Sequence, residues 1–514
     1  MFQQLIDRFR SGNLRRTFTL ILAGKMIGVA LTLLAIKGIT AYLFTPAFAE
    51  DGTAAAIPAY VNPINTMWTL VAAFLVFFMQ AGFMALEAGF ARTRETVNIL
   101  LEGIVDTCLC GVLFYALGFA FMFGSGNGFI GLQYFFLQNT PETYGTTGVP
   151  ILCYWLFQFA FADTCSTITS GAMLGRTSFV GDLLYSVGVS GFIYPIIGHW
   201  AWGPDGWLNT IRPAAFHDFA GSTVVHTIGG FVALAGAIAL GPRLGRKFKR
   251  DGGGMPPGHD MMIASIGGVI LWFGWYGFNP GSTLSAMDMQ GISRVAANTT
   301  LAACGGGLSA LAFIYPRNKV WDCGVTVNGL LAGLVGITAP CYWVSPFGAL
   351  VIGGAAGVIM VLATDLLEHL RIDDPVGAVP VHGACGIWGT LAVGLFACGK
   401  YGAASPTGAD NSAEAVVTGL LYGGGARQLV AQLEGSLAVT GATFAVSLGM
   451  MYALKKAGLL RVSKEIELEG LDLHEHGGSV YPEMIGATHG ATSIPPQADV
   501  PAIALQATPA EAGQ

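Results

Sequence analysis

Stretches of about twenty predominantly apolar residues recur along this chain from residue 66 to residue 455, separated by short polar turns. Nothing else constrains the fold as much. At 1.5 Å per residue, each stretch as a helix is long enough to cross a hydrocarbon layer ~30 Å thick. Of the 514 residues 53% are hydrophobic and only 11% charged, against about 25% charged in soluble domains. The chain therefore reads as an all-α polytopic membrane protein. Spans are predicted near 66–91, 99–124, 150–175, 181–203, 220–241, 260–279, 293–315, 324–342, 346–370, 377–398 and 433–455.

The ends read differently. Residues 1–49 carry Arg8, Arg10, Arg15 and Arg16, an apolar stretch, then Ala47-Phe48-Ala49 before Glu50, which is the pattern of a signal peptide. Lys37 interrupts it, so an uncleaved helix is the alternative. Removal of the leader leaves eleven spanning helices and puts the termini on opposite sides. Loops assigned to the cytoplasm hold Arg92, Arg94, Arg176, Arg243, Arg246, Lys247, Lys249, Arg250, Arg317, Lys319, Arg371, Lys455, Lys456, Arg461 and Lys464. External loops and their edges hold only Arg212, Arg294, Lys400 and Arg427. The positive-inside rule then places the mature N-terminus outside and the C-terminus in the cytoplasm. The transmembrane domain covers 62–456, a polar acidic tail covers 457–483, and 484–514, rich in Ala, Pro and Gln, reads as disordered.

Two stretches repeat within this frame. Asp218-Phe-Ala-Gly-Ser-Thr-Val-Val-His226 and Asp374-Pro-Val-Gly-Ala-Val-Pro-Val-His382 both put a carboxylate eight residues before a histidine and run on into a Gly/Ala-rich helix. Taken as continuous helix, eight residues rise about 12 Å and leave the His more than two turns inside. Either motif alone reads as an N-cap, worth about 1 kcal/mol, followed by a hydrogen-bonded core histidine. Together they lie in spans five and ten, so the copies cross the membrane in opposite directions. Two inverted five-helix repeats plus an eleventh helix follow, an arrangement that transporters use to build a central path. Of the glycines, many, such as Gly229-Gly230, Gly353-Gly354 and Gly383…Gly386…Gly389, are expected to permit close helix packing.

Other functions find little support. Nine cysteines, mostly inside apolar segments, form no disulfide framework and no metal-binding spacing. No metal, other cofactor or enzymatic activity is expected. No basic cluster with interleaved aromatics points to nucleic acid; the expected surroundings are a lipid bilayer.

Several stretches together resemble the Amt/Mep/Rh ammonium transporters, of bacterial Amt type. They are Met84-Ala-Leu-Glu-Ala-Gly-Phe, Thr96-Val-Asn-Ile-Leu, both Asp…His motifs with the following Gly-Ala-Cys-Gly-Ile-Trp-Gly, Phe273-Gly-Trp-Tyr-Gly-Phe-Asn-Pro-Gly-Ser282, and Gly470-Leu-Asp-Leu-His. The resemblance covers roughly 62–483. It implies a homotrimer in a cell inner membrane, with a narrow, mostly apolar pore through each subunit that conducts ammonium or ammonia. It makes His226 and His382 the pore imidazoles and Asp218 the carboxylate beneath the outer vestibule. It makes Trp202 and Ser282 part of an external cation site, Phe278 part of an aromatic gate, and Trp275 a neighbouring passage residue. The outer gate Phe of some bacterial members falls, by register, at Cys165, with Phe161 one turn earlier to stand in. The tail implies docking of a trimeric P-II nitrogen-signalling protein.

Elementary energetics agrees with such a passage. A small cation is attracted to an indole face by about 0.5–2 kcal/mol, although a Trp at a span end is also an ordinary interface aromatic. A bare ion in an apolar tube costs tens of kcal/mol in the Born limit. Removing a proton costs only about 1.36 kcal/mol per unit between ammonium's pKa and ambient pH. Deprotonation therefore wins, and potassium, with no proton to give, is excluded. Two imidazoles in line can relay that proton. Of the other intramembrane carboxylates, Glu87 and Asp106 are expected to be structural. Asp163 is either a helix-contact group or a means of enriching the vestibule in cations. Three alternatives stand beside ammonium transport: an Rh-like channel for another small neutral molecule, an ammonium sensor acting through its tail, and a membrane metalloenzyme built on the two histidines.

Overall fold

The computed structural model describes residues 58–481 apart from 146, 406–407 and 411–414. The signal peptide and the 484–514 tail expected from sequence lie outside the described residues. Among the described residues, ten helices are long and apolar enough to cross a membrane. In chain order with one shorter member, the bundle comprises α1 (Val61–Phe90), α2 (96–123), α3 (Ile151–Gly171), α4 (179–202), α5 (Ser222–Leu240), α6 (Met261–Phe278), α7 (Met289–Asn318), α8 (Cys323–Thr338), α9 (Pro346–Leu370), α10 (Val379–Phe396) and α11 (Arg427–Lys456). The shorter apolar member is α8, at 16 residues. Two short tail helices, α12 (Lys464–Glu469) and α13 (Leu471–His476), follow.

Helix starts are written into the sequence as side-chain caps. Ser178 accepts from the Gly181 amide, Asp260 from Met262 and Ile263, Asp288 from Gly291, Asp322 from Val325, and Ser345, with Pro346 after it, from Gly348. Each satisfies amides that a helix leaves unpaired, worth about 1 kcal/mol. Lys319 and Arg371, both at positive φ, end α7 and α9. Large apolar side chains such as Phe74, Met262, Phe347 and Leu437 stay exposed on the outer faces, as lipid rather than water as solvent allows.

Helix α1 packs along α6, α7 against α8 and α9, and α11 against α5 and α10. Helices α5 and α10 run antiparallel. Arg243, just beyond the end of α5, is paired with Asp373, just before the start of α10. At the other side Phe219, before α5, and Cys398, after α10, both meet Trp343.

The tail packs on one end of the bundle, called here the tail face. Asp472 accepts from the Val97 and Asn98 amides at the start of α2, at 3.0 and 2.9 Å. Glu475 accepts from the Phe179 amide at the start of α4, and Glu467 from Leu244 after α5. On the same face Asp373 takes forked hydrogen bonds from Arg243, at 2.8 and 3.0 Å, and one from Arg246 at 3.1 Å. Burial pushes the Asp373 carboxyl up, but Arg243 and the Arg176 charge outweigh it and hold it well below the ordinary carboxylate range. Its stabilisation is therefore present above the unfolded pKa and is lost only as pH falls through the depressed folded value.

Candidate functional site

The site begins with how α5 and α10 start. Asp218 is not inside a helix. Residues 219–221 loop over it, Gly221 taking φ +116°, and the carboxylate reaches back to the amides of Gly221, Ser222, Thr223 and Val224 at 2.8–3.0 Å. Asp374 does the same for Gly377, Ala378 and Val379 at 2.8–3.1 Å, with Gly377 at φ +87°. This corrects the expectation of a histidine more than two turns inside. His226 is the fifth residue of α5 and His382 the fourth of α10. Glycine makes the difference, since its left-handed backbone lets the chain turn between Asp and helix. Both first turns are widened into π-turns, Ser222–Thr227 and Val379–Ala384, a distortion that often marks functional positions in helices.

The two starts then cross in a mirrored way. A Cβ on Gly230, four residues after His226, would lie 2.6 Å from Cα of Gly383, the residue after His382. A Cβ on Gly386, four residues after His382, would lie 3.1 Å from the amide of Thr227, the residue after His226. This close approach brings the imidazoles together. His226 Nδ1 is 3.1 Å from His382 Nδ1, with ring centroids 5.2 Å apart and planes at 27°. Both rings are buried, and His226 Nε2 has no hydrogen-bond partner among the described residues.

Stacked rings continue the line away from the tail face. His226 lies against Trp275, at 5.1 Å and 21°, and Phe278, at 5.4 Å and 28°. The Trp275 indole N–H donates to Thr338 Oγ1 at 2.9 Å, which fixes the ring. Phe278 stacks on Phe161 with centroids 4.0 Å apart. Above Phe161 opens a cavity of about 340 Å³ lined by Trp202, Ser282, Phe157, Gln158 and Phe219 among others. Trp202 donates its indole N–H to the Asp218 carbonyl oxygen at 2.8 Å. Ser282 donates its hydroxyl to the Phe278 carbonyl at 2.7 Å, so its oxygen lone pairs are left to accept from something in the cavity.

On the other side of the histidine pair is a second cavity, of about 20 Å³, lined by His382, Phe83, Glu87, Ile168 and Asn328 among others. It is large enough for about one water molecule.

The residues singled out from sequence thus fall on one line: Trp202 and Ser282 at the large cavity, Phe161 and Phe278 beneath it, then Trp275 and His226, then His382, with Asp218 holding the start of α5. Cys165 is not on it. It is buried with its carbonyl oxygen against Gly229 of α5, so a missing ring there leaves the Phe161–Phe278 stack closed. Asp163 does not line the vestibule either. It is buried against α2, where Thr107 donates to it at 3.1 Å. Asp106 takes a hydrogen bond from Ser166 at 2.9 Å. Sequence reasoning missed the part of Phe157 and Phe219 in the wall, the two π-turns, and the place of Glu87 on the small cavity. The signal for the turns was present, as a Gly three residues after each Asp. Among the described residues no group of three His, Cys, Asp or Glu could hold a metal ion.

A bundle of membrane-length helices enclosing paired imidazoles between two cavities defines a multi-pass membrane transport protein. The sequence model of the Ammonium Transporter Family matches residues 67–481, and the chain belongs to that family. It is 43% identical over 434 residues to the ammonium transporter Amt2 of Archaeoglobus fulgidus, covering 82% of this chain and 89% of the relative. It is 42% identical to a putative ammonium transporter of Synechocystis, with 85% and 93% covered. Among solved structures, a protein described as a sensor Amt protein superposes with a TM-score of 0.72 at 37% identity, covering 81% of this chain and 99% of the other. Mep2 of Candida albicans gives 0.71 at 29% identity, with 82% and 91% covered.

Proposed function

We propose that this ammonium transporter captures ammonium in the cavity between Trp202 and Ser282, removes a proton there, and passes ammonia between Phe161 and Phe278 to the histidine pair. The proton travels separately, from His226 to His382 across their facing Nδ1 atoms, so that net charge moves. The observation that carries this reading is the 3.1 Å His226–His382 contact lying between an aromatic cavity and a second, water-sized one. Asp218 has its carboxylate engaged by four amides, which suits an anchor of the vestibule better than a free base. Asp374 has the mirrored anchoring part.

In this reading all eleven helices span the bilayer of a cell inner membrane, as a homotrimer. The Trp202 end faces outside, and the Arg- and Lys-rich tail face lies in the cytoplasm, following the positive-inside rule. The test is electrical. Proteoliposomes holding the protein should carry a current with ammonium and none with potassium at equal concentration. A potassium current of comparable size would sink deprotonation as the basis of selectivity.

A second reading has one observation behind it. The tail holds the starts of α2 and α4 and the end of α5 at once, so a state of the bundle can be felt by whatever docks there, a P-II-type protein being the expected partner. Pull-down of P-II should then depend on ammonium and on residues 456–514; binding indifferent to both excludes the sensor reading.

A further inference from the structure

Glu87 was expected to be structural, yet it lines the same small cavity as His382. It sits one turn from the end of α1 and is 5% exposed. Its side-chain partner is Ser170, whose hydroxyl lies 2.9 and 3.1 Å from the two carboxylate oxygens and 2.8 Å from the Thr167 carbonyl. One hydroxyl proton therefore serves three acceptors. Among the described residues no Lys, Arg or His forms an ion pair with Glu87. A buried carboxylate without a cation is costly unless it is protonated or solvated, and the cavity beside it has room for one water. The titratable groups near it are His382 across the cavity and the carboxylates Asp106, Asp182 and Asp374; Asn328, on α8, already spends its amide on the Val376 carbonyl. Asp218 and Asp374, which hold helix starts, are capped by amides; Glu87 has one shared hydroxyl.

We propose that Glu87 is the proton acceptor at the tail-face end of the passage, taking from His382, through one water, the proton that ammonium gave up at the other end. This rests on the proposed charge-moving function. One N–H bond of ammonium breaks in the large cavity, water carries the proton past the Phe161–Phe278 stack, and the proton adds to His226 Nε2, the nitrogen left without a partner. His226 Nδ1 gives its proton to His382 Nδ1, and His382 Nε2 gives its own to the cavity water. That water protonates the Glu87 carboxylate, which then releases the proton to tail-face solvent, where ammonia regains it. No electrons are exchanged. Each passage leaves the two rings with their protons on the opposite nitrogens, and the tautomers reset before the next.

The test separates charge from ammonia. In proteoliposomes, wild type should give an ammonium current with little internal alkalinisation, because proton and ammonia arrive together. Glu87→Gln keeps size and shape but cannot accept the proton. It should lower the current at least tenfold while ammonia still enters, so that the interior now turns alkaline. Glu87→Asp should restore a substantial part of the current. A Glu87→Gln current within twofold of wild type overturns the proposal. So does a parallel loss of current and ammonia entry that Glu87→Asp fails to restore, since that marks a packing role. Absence of current in wild type overturns instead the charge-moving reading on which the relay rests.

Discussion

The starts of α5 and α10 are built alike and surrounded differently. Each has an Asp reaching back to first-turn amides, a Gly at positive φ, a π-turn, a histidine, and a Gly four residues on that packs against the other copy. Beyond the α5 start lies an aromatic cavity of about 340 Å³; beside the α10 start lies one of about 20 Å³ with Glu87 in its lining. A two-fold backbone cannot distinguish one side of a membrane from the other. Here the backbone sets where the imidazoles meet, and the unrelated side chains around each copy make the two ends unlike.

The largest expected effects break the shared half of this comparison. Asp218→Ala would leave four buried amides unpaired and Asp374→Ala three, at about 1–3 kcal/mol for each group left wholly unsatisfied. Thermal unfolding in detergent should show both variants strongly destabilised, Asp218→Ala more so. Equal stability to wild type would mean that water replaces the caps, and that the starts lie less deep than the structure shows. Next come the histidines. His226→Ala and His382→Ala each remove one side of the Nδ1–Nδ1 contact, and loss of a positioned proton-transfer group costs about 10²-fold or more. The two variants should lose ammonium current to a similar extent. A loss confined to His226→Ala would show that the copies do not act as a pair.

Glycine substitution tests the crossing itself. Ala at 230 would meet backbone of Gly383, and Ala at 386 backbone of Ser222 and Thr227. Backbone yields less readily than a side-chain end, so each should destabilise by about 1–3 kcal/mol and widen the imidazole contact. Matched losses in thermal stability would support the mirrored geometry, and a cost at one site only would argue against it.

How much of this could be read beforehand follows from the same physics. Hydropathy marked the spans because lipid leaves a helix little choice of composition, and the eight-residue Asp…His spacing marked the repeat. Trp202, Ser282, Phe278 and the histidines were singled out through motifs, and a shared cavity and a run of ring contacts connect them. The helix starts were misjudged because spacing was counted as continuous helix, although Gly221 and Gly377 interrupt it. Register alone could not say whether Cys165 or Phe161 faces the cavity, because α3 is buried along most of its length and no apolar stripe tells passage from packing. The place of Glu87 on the small cavity was not legible for a related reason. On α1 every face is mostly apolar, and one carboxylate does not say which face it occupies.

The smallest effect sharpens the unshared half. Trp202 offers an indole face to the large cavity, and cation attraction to such a face is worth about 0.5–2 kcal/mol, or about 2- to 30-fold in affinity. Trp202→Leu should raise the half-saturating ammonium concentration within that range and leave the current at saturation nearly unchanged. Its indole N–H also holds the Asp218 carbonyl, so a loss of ring and a loss of anchor must be told apart. Trp202→Phe keeps a ring and loses the N–H. If capture by the ring is what matters, Trp202→Phe should fall between wild type and Trp202→Leu in half-saturation. If the anchor matters, both variants should shift alike and both should lose thermal stability. Changes at the two ends of the passage then separate by kind, Trp202 acting on the concentration needed and the opposite cavity on the current reached. A Trp202→Leu protein with wild-type half-saturation would remove the large cavity from the capture step and leave the asymmetry of the two ends without a function.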